Sequence, residues 1–62
     1  MKIYLVPLLY GRMRLPLLEF VVADNEDQAQ QLVRDWAPGE VEFKKAPEPV
    51  GEAYKSEARV LR

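Results

Sequence analysis

The chain contains no cysteine and no histidine. Without thiols there is no disulfide, no thiolate metal site and no cysteine nucleophile. Without imidazole there is no side chain poised to exchange protons near neutral pH, and no histidine metal ligand. Threonine is also missing, and Ser56 is the only serine. No histidine can activate its hydroxyl, and Lys55 is its sequence neighbour, a spacing at which side chains do not converge. Gly11, Gly39 and Gly51 are far apart, so there is no glycine-rich phosphate loop. These absences exclude most enzyme chemistry, and no cofactor, metal or small-molecule substrate is expected. Long apolar runs are lacking too. Ile3–Tyr10, the longest, has eight residues, against about 20 for a membrane-spanning helix. Met1-Lys2 followed by this run has the outline of a signal peptide. Pro7 interrupts it, however, and no small-residue cleavage site follows, so a cytoplasmic protein is expected.

What remains is 62 residues, 48% of them apolar. A chain of this size is one domain, and it hides only about 60% of its unfolded surface on folding. Natural domains this small usually add disulfides, a metal or a partner subunit, and the composition removes the first two. Nine basic and ten acidic residues give a net charge of −1. A nucleic-acid binder usually has a basic excess, so a nucleic-acid partner is disfavoured.

The clearest element is a helix over 26–36. Ala29, Leu32, Val33 and Trp36 recur at i, i+3, i+4 and i+7, which is one helical face. Asn25 and Gln28 form a capping-box pattern, Glu26 and Asp27 suit the first turn, and Pro38-Gly39 ends the helix. Two strands, Lys2–Tyr10 and Leu15–Ala23, precede it. Gly11-Arg12 between them predicts a type II′ turn, with glycine at the position of positive φ. That turn sets Pro7 opposite Pro16 and loosens the hairpin towards its tip, because neither proline has an N–H for the ladder. Val41 and Phe43 alternate with Glu42 and Lys44 in a third strand, Glu40–Ala46, ended by Pro47 and Pro49. The expected fold is therefore a small α+β domain of order β-β-α-β. Its core, 1–46, is a three-stranded sheet with the helix on one face, and 47–62 is a tail, either a short helix or an extra strand.

Strand alternation sorts the hairpin side chains onto two faces. One holds Ile3, Leu5, Leu18, Phe20 and Val22, and the helix is expected to cover it. The other holds Tyr4, Val6, Leu8, Tyr10, Met13, Leu15, Leu17 and Val21, with only Lys2 and Glu19 as polar members. One helix cannot cover both sides of a sheet. Large apolar side chains are worth about 1.5–3 kcal/mol each when buried, so something should cover the second face. The tail could do so through Val50, Tyr54 and Leu61; so could a second copy, or another protein.

The charged groups have simpler roles. Asp24, Glu26 and Asp27 read as a helix cap with a solvated first turn. Arg12 and Arg14 flank Met13 at the hairpin tip, where they can contact phosphates or aid solubility. Lys44-Lys45 reads as protection of a sheet edge.

In Phe20–Lys45 a strand ends in Val22-Ala23, and a capped helix carries Asn25-Glu26-Asp27-Gln28-Ala29. An aromatic stands two residues before Pro38, and Val41-Glu42-Phe43-Lys44-Lys45 closes the unit. This stretch resembles very small bacteriophage proteins, most of all the podovirus inhibitors of host RNA polymerase. The resemblance implies a host-takeover protein that inhibits by binding a host protein. By position, Lys45 matches a basic contact of that family, while a second such position is Pro47 here.

These readings converge on a non-enzymatic protein-binding module, acting on a host protein and able to pair as a homodimer. The expected partner-binding residues are Tyr4, Val6, Leu8, Tyr10, Met13, Leu15 and Leu17, with Arg12, Arg14 and Lys45 steering. The alternatives are a nucleic-acid-binding protein using the basic hairpin tip, or a purely structural homo-oligomer.

Overall fold

The structure, a computed structural model, describes residues 1–61. Strands β1 (Lys2–Tyr10) and β2 (Leu15–Ala23) form the hairpin, helix α1 (Glu26–Trp36) follows, and three shorter strands complete one sheet. These are β3 (Val41–Phe43), β4 (Glu48–Glu52) and β5 (Arg59–Val60). Every pairing is antiparallel: β3 and β4 lie along one side of β1, β2 along the other, and β5 along the far side of β2. The fold is thus α+β, with five strands rather than three.

The helix begins and ends where its sequence signals stand. The Asn25 side chain accepts the Gln28 N–H at 2.8 Å, and the Gln28 side chain accepts the Asp24 N–H at 2.6 Å. This reciprocal cap satisfies donors that the first helical turn leaves unpaired. At the other end the Ala37 N–H bonds to the Val33 carbonyl, and Ala37 is extended, as the residue before a proline should be.

The hairpin differs from the expected one. Its loop is Gly11–Arg14, with Tyr10 paired to Leu15, and the Arg14 N–H bonds to the Gly11 carbonyl at 3.1 Å. Gly11 has φ +75°, as a turn glycine can; Arg14 also adopts the left-handed region, at φ +53°. The register is displaced by two residues, so Pro7 faces Leu18 and Pro16 faces Leu9. A two-residue displacement leaves every side chain on its face. It also changes what the prolines do. The Pro7 carbonyl accepts the Lys44 N–H, so its missing N–H points to the β3–β4 side. The Phe20 carbonyl accepts the Leu61 N–H, so β2 residues of that parity, Pro16 included, point to the outer edge. Neither proline interrupts the ladder between β1 and β2, and the hairpin is regular to its tip. The cost falls where Pro7 meets the third strand, which breaks at Lys44–Pro47 into β3 and β4.

The tail is strand, not helix. After the break the chain resumes pairing with β1, with Pro49 inside β4, a position an edge strand tolerates. An irregularity between Ile3 and Tyr4 absorbs one residue at Val50. Residues 53–58 then cross the base of the sheet to β5.

The helix covers the face opposite to the expected one. Tyr4, Val6, Leu8, Val21 and Ala23 pack with Ala29 and Val33 of α1 in the core. Tyr10, Leu17, Leu32, Val41, Phe43 and Val60 surround them, half-buried. Lys2 is exposed as expected, but Glu19 lies beneath the helix at 6% exposure. Every buried side-chain polar atom among the described residues has a partner, Glu19 included. Trp36, expected in the covering stripe, overhangs the sheet and is 39% exposed. Both sheet faces are apolar, so alternation alone does not choose between them. The connection from β2 through α1 to β3 does. β3 runs parallel to β2 with β1 between them, and the right-handed rule for such crossovers permits the helix one face only.

Candidate functional site

The side of the sheet without a helix carries the odd-numbered residues of β1 and the even-numbered residues of β2. Leu18 and Phe20 are the most open, at 65% and 48% exposed. Ile3, Leu5 and Leu9 beside them are half-buried, Pro16 is exposed, and Pro7 and Val22 are buried within the sheet. In register, Leu5 faces Phe20, Pro7 faces Leu18 and Leu9 faces Pro16. The result is a two-strand apolar face that is open at Pro16, Leu18 and Phe20 and closed at Pro7 and Val22. Of the tail residues expected to shelter it, Val50 is 49% exposed and Tyr54 87%, while Leu61 is half-buried beside Phe20, whose carbonyl accepts its N–H.

Charges flank the surface asymmetrically. Glu42 pairs with Leu9 and Glu48 with Leu5, which places both carboxylates on the open side along the β3–β4 edge. Arg59 pairs with Val22, on the same side but along the β5 edge. Glu42 also bonds to Arg14 at 2.9 Å, both side chains remaining well exposed. Glu48, on the same edge, makes no ion pair among the described residues and stands across the sheet from Arg59.

The expected partner-binding residues divide into two groups. Tyr4, Val6 and Leu8 are at most 5% exposed, and Tyr10 and Leu17 pack against the same core. Tyr4, Val6 and Leu8 thus offer no surface to a partner, and Tyr10 and Leu17 are half-buried. Arg12, Met13, Arg14 and Leu15 are exposed around the hairpin tip, and Lys45 is exposed at the bend after β3. Ile3, Leu5, Leu18, Phe20 and Val22 are the residues that the sequence places on the helix side. Their signal is the same alternation, read with the two faces exchanged.

The basic residues do not form one patch. Arg12, Arg14 and Arg34 border a cleft of about 570 Å³ near the tip, with Glu40 and Glu42 in the same lining. Arg34 stands over the Phe43 ring at 4.9 Å. Lys44-Lys45 lies lower on the sheet, where Lys44 bonds to Pro7. Asp24, Glu26 and Asp27 surround the helix cap. Among the described residues no three histidine, cysteine or carboxylate side chains gather as a metal set, and no helix is long and apolar enough to cross a membrane.

No protein family, curated protein or solved structure matches the chain.

Proposed function

We propose that the protein is a non-enzymatic protein-binding module whose contact surface is the helix-free face of its sheet. The supporting observation is the exposure of Leu18 and Phe20, two large apolar side chains on neighbouring positions of one sheet face. Exposed contiguous apolar patches mark interaction sites in small proteins, and a large aromatic beside leucines is the usual anchor of such a contact. The resemblance of Phe20–Lys45 to phage inhibitors supplies a target class, a host protein whose surface the chain occupies and thereby inhibits. Contact with nucleic acid has less support, because Arg14 is matched by Glu42 and the tip cleft carries two carboxylates.

Affinity capture with tagged wild-type chain and tagged Leu18→Asp tests this reading, using host lysate and untagged chain as prey. Wild type should retain a protein that Leu18→Asp releases, with both variants giving the same circular dichroism spectrum. Equal retention by the two folded proteins overturns it.

A further inference from the structure

We infer that the occupant of the helix-free face is a second copy of this chain, stacked sheet on sheet about a two-fold axis parallel to the strands. This inference rests on that face being a docking surface and names what docks there.

Charge placement selects the geometry. Two sheets stacked face to face can be related by a two-fold axis along the strands or across them. With the axis across the strands, each edge meets its own copy, and Glu48 cannot reach Arg59 of the other. With the axis along the strands, the two edges exchange, and the Glu48 edge of one copy meets the Arg59 edge of the other. Glu48 is level with Leu5 and Arg59 with Ile3, a separation of two residues, or about 7 Å. Both are long, exposed side chains, and the tilt of about 30° between stacked sheets changes such offsets. Opposite charges meeting at both edges fix the register of this stacking.

The same axis makes the apolar rows complementary. It lays β1 of one copy over β2 of the other at unchanged height, so the open Phe20 side chain meets the half-buried Leu5 of the second copy. A nine-residue strand spans about 30 Å, and the molecule is 19 Å wide. The face therefore presents roughly 500 Å² per copy, or about 1,000 Å² for the pair, the lower bound of specific contacts. A dimer of this size forms in the micromolar range rather than irreversibly.

Sedimentation over about 1 μM to 1 mM chain reads the outcome. The wild-type mass should rise from 7.2 kDa towards twice that value. Phe20→Asp should weaken self-association by about 100-fold, the effect of a buried unpaired charge, with an unchanged circular dichroism spectrum. Glu48→Arg and Arg59→Glu should each weaken it, and the double exchange should restore it. A wild-type chain at 7.2 kDa throughout overturns the inference. If Leu18→Asp still loses a captured host protein in that case, the docking reading survives with a different occupant. If capture is unchanged as well, both fail. A dimer insensitive to the charge exchanges overturns the axis along the strands.

Discussion

The two faces of one hairpin have nearly the same composition and opposite environments. Leu8 and Leu18 come from the same two strands. One is fully buried beneath α1, and the other is 65% exposed on the far side. The difference lies in what the chain does after Ala23. A single capped helix returns across the sheet and shelters one side, leaving the other without a helix and Leu18 and Phe20 open on it. Hydrophobicity therefore says that a residue can be buried; chain connectivity says whether this molecule buries it.

The most direct way to break this comparison is to truncate one leucine from each face. Leu8→Ala should cost about 2–5 kcal/mol, most of the total stability of so small a domain, read by urea unfolding. Leu18→Ala should change the same measurement by about 0.5 kcal/mol or less, at dilute protein where self-association contributes least. Equal costs would mean that the two faces are equally sheltered. A smaller effect sharpens the comparison through the lid. Asn25→Ala removes the cap and should lower stability by about 1 kcal/mol. It acts only on the covered face, so self-association should persist wherever the variant is folded. The smallest effect is at the tip: Arg14→Ala breaks the exposed pair with Glu42 and should cost about 0.5 kcal/mol or less, fading in high salt.

Local signals in the chain were strong enough to place most elements. The helix spans 26–36 as its periodicity and cap require, and both hairpin strands have the boundaries their apolar runs imply. The faces of the hairpin were also correctly grouped, because a two-residue change in register preserves them. Three features were not legible. The turn contains Gly11, but a second left-handed residue, Arg14, lengthens the loop, and arginine gives no sign of that conformation. The tail has the composition of a helix, yet pairing with the free edges of β1 and β2 is available only once those strands exist. The face under the helix was not legible either, since Tyr4, Val6 and Leu8 alternate in the same way as Leu5, Leu18 and Phe20.

By itself the amino-acid sequence determined the absence of thiol and imidazole chemistry, the position of the capped helix, and two strands with more apolar surface than that helix can shelter. These follow from residue type and spacing within a few neighbours. Only the tertiary structure decided which surface is sheltered and which is offered. That choice depends on the hand of a crossover and on pairings between residues more than 30 positions apart, such as Tyr10 with Val41. No local pattern encodes it, because both sides of the sheet satisfy the same alternation.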